Sequence, residues 1–261
     1  MNAIDRCFQA TRAAGRVALM PYVTMGYPAR DDALGIIPAL AQAGADIVEI
    51  GVPFTDPIAD GPVIQASSQR ALDNGMSLDL ALRQLKSLDP SQRPPALVLM
   101  TYTNVLMSRG FDAFALDARD AGISGVIVPD MPVEEGGELR DALARQGLYA
   151  IQMVTPNLDD DRIREIAAVA RGFLYLVSVL GVTGERSAAP DVEAFVARVR
   201  RHTALPLALG FGIATPAHAH AVAPHVDGVI VGSALSRRLG AASDPVAEAR
   251  DFLSDFAGVA A

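Results

Sequence analysis

Short apolar stretches alternate with longer amphipathic segments along the whole chain. The amphipathic segments have helical spacing: "DDALGIIPALAQAGA" repeats its apolar positions about every 3.6 residues before Gly44, and "FDAFALDARDAG" and "PDVEAFVARVRR" follow the same period. In the last of these, Asp191 and Glu193 suit a helix start. Eight apolar stretches have the length of buried strands, near Ala18–Thr24, Asp46–Gly51, Ala96–Tyr102, Gly125–Asp130, Tyr149–Val154, Phe173–Ser178, Pro206–Phe211 and Gly228–Gly232.

Eight strand–helix units in 261 residues predict an α/β fold built from one repeated unit. Alternating strands and helices form parallel sheets, and eight such units in a chain of this length indicate a closed (β/α)₈ TIM barrel with extra helices. An open doubly wound sheet is the alternative, but no GxGxxG motif opens the first helix. No shift in composition marks a boundary, so we expect a single catalytic domain over residues 1–261.

A carboxylate interrupts the second predicted strand. Side chains alternate along a strand, so Ile47, Glu49 and Gly51 share one face and the apolar Val48 and Ile50 share the other. The apolar pair suits the helix layer, which turns Glu49 toward the barrel interior at the end of the strand. A charge there must be paired, protonated or open to a ligand.

An ion pair is the structural alternative for this glutamate. However, no basic residue lies between Arg30 and Arg70, and none ends a neighbouring predicted strand. Active sites of barrels form at the C-terminal ends of the strands, where Glu49 is placed. We therefore interpret it as catalytic.

A second carboxylate, Asp60, closes the loop "TDPIADGP" eleven positions after Glu49. Its structural alternative is a helix cap, because Asp is favoured just before a proline such as Pro62 at a first helical position. Two carboxylates at one barrel mouth suggest divided acid and base roles, with burial raising one pKa above the other.

The last three predicted strands end in glycine-rich turns, "LGVTGERSAAPD", "GFGIATP" and "GSALSRR". A phosphate site after strands seven and eight recurs in barrels, which places Gly212, Gly232 and Ser233 there. Ordinary tight turns are the alternative interpretation. The segment Leu180–Ser187 is long for such a turn and suggests a lid. Tyr22, Tyr102 and Tyr175 fall near strand ends and either pack in the core or line a pocket for a flat apolar group.

Composition and charge narrow the class of partner. Hydrophobic residues make up 51% of the chain and charged residues 20%, and the net charge is −8. This acidic balance argues against nucleic acid and anionic membranes as binding partners. Because the net charge would not attract an anionic substrate either, backbone N–H donors would have to bind it. The segment "MNAIDRCFQATRAAGR" lacks the apolar core of a secretory signal, no apolar run approaches a membrane span of about 18 residues, and Cys7 is the only cysteine. A cytoplasmic enzyme is expected.

Several other chemistries have little support. In "HAHAVAPH", His218 and His220 are two residues apart and would not share a helix face, so no metal site is expected. The only lysine, Lys86, lies in a helical segment, which disfavours a Schiff base. No GxSxG elbow or P-loop is present. Asp130 either touches substrate or bonds to neighbouring loops.

The motifs together resemble the tryptophan synthase α chain family. "ADIVEIGVPFTDPIADGPVIQ" is similar to its long signature, and the likeness continues in order through "PYVTMGYP", "MTYTNVL", "GVIVPDMPVEE", "LYLVSVLGVTGERS", "GFGIATP" and "VGSAL". The resemblance implies retro-aldol cleavage of indole-3-glycerol phosphate to indole and glyceraldehyde 3-phosphate. It carries the acid/base glutamate of the family onto Glu49 and the second essential carboxylate onto Asp60. Glu49 would protonate indole C3 while Asp60 accepts the ring N–H.

The same resemblance implies further roles. It carries phosphate binding onto Gly184, Gly212, Gly232 and Ser233, and pocket positions onto Tyr22, Ile64, Tyr175 and Phe211. Asp56 and Thr183 match loop residues that couple the α chain to a β chain in an αββα heterotetramer. Pyridoxal phosphate is expected only in that partner, with no cofactor in this chain. Leu180 departs from the family, where a small hydroxyl residue is expected.

Three alternatives remain open at this stage. Another phosphosugar barrel enzyme would share the phosphate glycines but lack the Glu49 to Asp60 loop. A stand-alone lyase would release free indole without a partner. A non-catalytic phosphosugar-binding subunit would bind ligand without releasing indole, although the intact carboxylate pair argues against it.

Overall fold

A computed structural model describes residues 1–177, 192–210 and 212–260, apart from the side chain of residue 260. Its eight strands are parallel and close into one barrel in sequence order, with β8 pairing with β1. The predicted TIM barrel is therefore confirmed. The strands are β1 Ala18–Thr24, β2 Ile47–Gly51, β3 Ala96–Met100, β4 Gly125–Ile127, β5 Tyr149–Val154, β6 Leu174–Val177, β7 Leu207–Gly210 and β8 Gly228–Val231.

Helices connect the strands and surround the barrel. Two short 3₁₀ helices occupy Pro90–Gln92 and Ala257–Ala260. None of the helices within the described ranges is long and apolar enough to cross a lipid bilayer. The α-helices in these ranges are α1 Ala3–Ala13, α2 Ala33–Gln42, α3 Pro62–Asp73, α4 Leu78–Ser87, α5 Thr103–Arg109, α6 Phe111–Asp120, α7 Gly137–Arg145, α8 Asp160–Val169, α9 Val192–Arg200, α10 Pro216–Val222, α11 Ser233–Ala241 and α12 Pro245–Ser254.

Two strands end two or three residues earlier than their apolar runs suggest. β3 ends at Met100 rather than Tyr102, and β4 ends at Ile127 rather than Asp130. The carboxylate of Asp130 accepts hydrogen bonds from the amide and the hydroxyl of Thr103, both at 2.9 Å, so it anchors the start of α5 instead of continuing β4. Of the two roles left open for Asp130, the structure contains the hydrogen bond to a neighbouring loop. The predicted strand ends at Ser178 and Phe211 lie outside the described residues, as does Asp191.

Side-chain alternation divides the core into two layers. Val48 and Ile50 belong to the apolar layer between the sheet and the helices, whereas Ile47 belongs to the cluster inside the barrel. Helix α1 closes the end of the barrel where the strands begin, since its Phe8 packs against Phe173 with ring centroids 5.7 Å apart. The other end of the barrel, where the strands finish, holds the polar groups described below.

Candidate active site

Glu49 points into the barrel from β2, as the alternation predicts. It pairs in register with Tyr22 of β1 and Val98 of β3, and only 1% of its surface is exposed. Among the described residues, neither carboxylate oxygen has a hydrogen-bond partner and no ion pair reaches it. Burial, followed by the nearby charge of Asp60, raises the pKa of Glu49 from 4.5 to about 8. The side chain is therefore largely protonated at neutral pH and able to act as an acid.

Asp60 lies at the end of the β2–α3 loop and faces the same space. It is not the helix cap, because Gly61 is the N-cap of α3 and Pro62 its first residue. Burial raises the pKa of Asp60 to about 6, and a hydrogen bond from the Tyr102 hydroxyl opposes part of that rise. At neutral pH, Asp60 is mostly ionised while Glu49 holds its proton, which separates a base from an acid.

Tyr102 supports the loop that carries Asp60. Its ring stacks on Phe54, with centroids 5.2 Å apart, and its hydroxyl oxygen accepts a hydrogen bond of 3.2 Å from the Ala59 amide. The same hydroxyl lies close enough to Asp60 to lower the pKa of that carboxyl group. Tyr102 therefore lies behind Asp60 and fixes its position, which the sequence pattern alone did not indicate.

A cavity opens at the C-terminal ends of the strands, and we call it the mouth cavity. Both carboxylates border it, together with six of the residues proposed from the sequence: Tyr22, Ile64, Tyr175, Gly212, Gly232 and Ser233. Sequence reasoning missed four apolar lining residues, Met100, Met153, Ile213 and Ile230. Three of these lie on strands at positions that face the interior, so the alternation used for Glu49 would have found them.

Two proposed groups lie elsewhere. Asp56 is exposed in the β2–α3 loop, where its carboxylate accepts a 2.5 Å hydrogen bond from the Thr55 hydroxyl, and it does not border the mouth cavity. The remaining proposed residues fall outside the described ranges; they are Leu180, Thr183, Gly184 and Phe211.

One end of the mouth cavity suits an anion. Gly232 is the N-cap of the nine-residue helix α11 and Ser233 is its first residue, so unpaired backbone N–H groups of a first turn point toward the cavity. Gly212 has φ of 84°, in the left-handed region. A ring nitrogen of His218 lies 3.1 Å from the Gly212 carbonyl oxygen and braces this turn. No arginine or lysine lines the cavity in the described part of the chain, so backbone donors supply the positive potential.

Histidines and acids of the described residues form no group of three or more that could hold a metal ion. His218 and His220 both belong to α10, a helix of seven residues.

Two glycines leave room for the tyrosines of the mouth cavity. A Cβ atom on Gly51 would lie 2.0 Å from the Tyr22 hydroxyl, and one on Gly210 would lie 2.3 Å from the Tyr175 hydroxyl. The side chain of each tyrosine therefore packs over the end of the next strand. Any larger residue at either glycine would displace the tyrosine ring.

Gly51→Ala is expected to lower the free energy of unfolding by about 1–3 kcal/mol, because the added methyl group overlaps the Tyr22 hydroxyl in a closely packed interior. Urea unfolding measures the change. Gly137→Ala is the matched control: its nearest neighbour would be 3.9 Å away, and the effect should stay within about 0.5 kcal/mol. Wild-type stability for Gly51→Ala with an unmoved Tyr22 ring would contradict the packing argument.

Comparisons with known proteins all give the same family. Residues 8–258 match the family model described as "Tryptophan synthase alpha chain". The chain is 46% identical to the tryptophan synthase alpha chain of Nitratidesulfovibrio vulgaris, over 93% of this chain and 95% of that one. It is 44% identical to that of Roseiflexus sp., over 99% of this chain and all of the relative. The crystal structure of the alpha subunit from Legionella pneumophila superposes with a TM-score of 0.91 at 33% identity, covering 100% of this chain and 98% of that one.

Proposed function

Because the chain belongs to the tryptophan synthase alpha chain family, we propose that it is a lyase that cleaves indole-3-glycerol phosphate to indole and glyceraldehyde 3-phosphate. One observation carries the proposal: two buried carboxylates of the same cavity have pKa values on opposite sides of neutrality, about 8 for Glu49 and about 6 for Asp60. A retro-aldol cleavage of this substrate needs an acid and an anion beside the same indole ring.

The substrate is held at its two ends. The apolar wall formed by Ile64, Met100 and Ile230 accommodates the indole ring beside the carboxylates. Backbone N–H groups near Gly212, Gly232 and Ser233 bind the phosphate, which needs no basic side chain. Gly184 and Phe211 are included in this site from their family positions alone.

Proton transfer starts the cleavage. Asp60 as the carboxylate accepts the indole N–H, and Glu49 as the acid gives its proton to C3, which places positive charge on the ring nitrogen beside Asp60. The bond between C3 and the glycerol carbon can then break, and its electron pair restores the aromatic ring.

The same glutamate completes the reaction. The Glu49 carboxylate takes the proton of the hydroxyl on the departing carbon, so that carbon becomes the aldehyde and Glu49 returns to its acid form. Burial favours this return because the charged carboxylate has no partner among the described residues. One indole and one glyceraldehyde 3-phosphate result, without a cofactor in this chain.

Exposed apolar residues near the barrel mouth fit a partner protein. Ile58 in the β2–α3 loop is 81% exposed and Met107 on α5 is 62% exposed, and both elements follow adjacent strands. We place a tryptophan synthase β chain on this surface in an αββα assembly, with pyridoxal phosphate in the β chain, where indole is consumed. Two residues are proposed to couple the chains: Asp56, which shares the loop with Ile58, and Thr183, which is included from its family position alone. The assembly is placed in the cytoplasm, and residues 1–261 act as one catalytic domain.

Ile58→Asp is expected to weaken binding of a β chain by about 10–100-fold, since it puts a charge where an exposed apolar side chain would be buried. Isothermal titration of the two purified chains measures the affinity. Leu116→Asp is the control, because Leu116 lies on α6 and is 43% exposed, away from the loop. Equal affinities for wild type and Ile58→Asp would move the interface to another surface.

Indole release from indole-3-glycerol phosphate tests the function. We expect slow release by the isolated chain and faster release after a β chain is added. Fast release without acceleration would favour the stand-alone lyase. Tight binding of the substrate without indole in either case would favour the binding subunit.

A further inference from the structure

Tyr22 reaches across the mouth cavity between its two ends. At the side of β8, a Cβ atom on Gly232 would lie 3.3 Å from the Cβ of Tyr22. At the side of β2, the Tyr22 hydroxyl covers Gly51, on the face from which Glu49 also points. The side chain therefore extends from the proposed phosphate end to the acid/base pair.

The Tyr22 hydroxyl is the end of a chain of three buried hydroxyls. Its oxygen lies 3.4 Å from the Thr24 hydroxyl, which lies 2.8 Å from the Ser67 hydroxyl. Ser67 is in turn 2.8 Å from the carbonyl oxygen of Ile64 on α3. All three hydroxyl-bearing residues are buried, with exposures of 6% for Tyr22, 2% for Thr24 and 1% for Ser67.

Counting protons shows which hydroxyl is available. The Ile64 carbonyl can only accept, so Ser67 donates its proton in the 2.8 Å contact with Ile64. Thr24 then donates its proton in the 2.8 Å contact with Ser67. At the remaining contact the Tyr22 oxygen is oriented as the acceptor, 3.4 Å from the Thr24 hydroxyl, which is beyond the usual range for hydroxyl hydrogen bonds. The Tyr22 proton is therefore not committed to this chain of hydroxyls and is free to turn toward a ligand.

The groups that face this hydroxyl keep it protonated. Burial, and then the charges of Asp60 and Glu49, raise the pKa of Tyr22 well above its ordinary value, so the side chain is a donor at every working pH. No hydrogen bond from Tyr22 to either carboxylate is formed in the described residues.

We infer that the Tyr22 hydroxyl binds the hydroxylated three-carbon segment of the substrate and selects for it. This rests on the proposed function: if the ring is beside Asp60 and the phosphate beside Gly232, the linking carbons must cross the Tyr22 side chain. The turn of one weakly held proton supplies the hydrogen bond, without any movement of the ring.

The test compares two ligands that differ only in the linking hydroxyls, indole-3-glycerol phosphate and indole-3-propanol phosphate. Both are titrated calorimetrically into Glu49→Gln and into Glu49→Gln with Tyr22→Phe, so that neither ligand is consumed. Tyr22→Phe should lower the affinity for indole-3-glycerol phosphate about 5–10-fold, which corresponds to the loss of one neutral hydrogen bond. It should lower the affinity for indole-3-propanol phosphate less than about 2-fold. Tyr149→Phe is the control, because its hydroxyl bonds to Asp5 at the opposite end of the barrel and should change neither affinity.

Each other outcome overturns the inference. An equal loss of affinity for both ligands, including complete loss of binding, would mean that Tyr22 contributes ring packing only. No weakening of either would mean that its hydroxyl faces no ligand. If Glu49→Gln alone binds neither ligand, the proposed function itself fails; if it binds both and Tyr22→Phe shows no preference, only the role of the hydroxyl fails.

Discussion

Glu49→Gln is expected to lower the rate of indole release at pH 7 by about 10³-fold, within the range for loss of a general acid and base. The amide has the shape of the protonated carboxyl group but cannot give up a proton to C3 or take one from the departing hydroxyl. Substrate affinity should change little, because the group is neutral in both forms. The rate is measured as indole released per second with a β chain present.

Glu138→Gln is the control for that loss, since Glu138 is an exposed residue of α7 and its substitution should leave the rate unchanged. A Glu49→Gln rate within 10-fold of wild type would remove Glu49 from the chemistry. The stability of Glu49→Gln at different pH values gives an independent check on the burial of Glu49.

The raised pKa of Glu49 makes stability depend on pH. Between pH 4.5 and about 8, the folded chain keeps a proton that the unfolded chain has released, so the free energy of unfolding falls as pH rises through this window. For Glu49 the loss is on the order of 5 kcal/mol. Glu49→Gln removes this dependence and should be more stable than wild type at pH 9 but not at pH 4.

Asp60→Asn is expected to lower indole release by about 10²-fold, because a neutral amide cannot stabilise the positive charge on the ring nitrogen. The pH profile gives a sharper signature. In wild type, the rate should rise as Asp60 ionises near pH 6 and fall as Glu49 loses its proton near pH 8.

Without the charge of Asp60, the rising limb should disappear. The falling limb should move to lower pH, because that charge contributes to the raised pKa of Glu49. Asp73→Asn, at an exposed position of α3, is the control and should keep the wild-type profile. A bell-shaped profile in Asp60→Asn with both limbs unmoved would assign the ionisations to other groups.

Much of the fold follows from the spacing of apolar residues. Strands β1 and β5 have the predicted bounds, and the inward direction of Glu49 follows from the apolar pair Val48 and Ile50. The end of β4 could not be predicted, since Asp130 leaves the strand to bond with Thr103, a contact between distant parts of the chain.

The sequence indicates which residues meet at the site but not how they share the chemistry. The difference between the pKa values of Glu49 and Asp60 depends first on burial and then on the nearby Tyr102 hydroxyl. Burial and the stacking of Tyr102 on Phe54 both arise only after folding. The hydroxyl chain behind Tyr22 joins β1 to α3, over 43 residues, and no local pattern marks it.

The central claim is that this chain breaks the bond between indole C3 and the glycerol carbon after protonating C3. Its most direct test is cleavage of indole-3-glycerol phosphate in D₂O, followed by NMR of the products. A β chain is present, but the serine with which it would condense indole is left out. The account predicts one glyceraldehyde 3-phosphate for each indole, and indole that carries one deuterium at C3. Intact substrate, or inorganic phosphate released while the carbon chain stays on the ring, would contradict it.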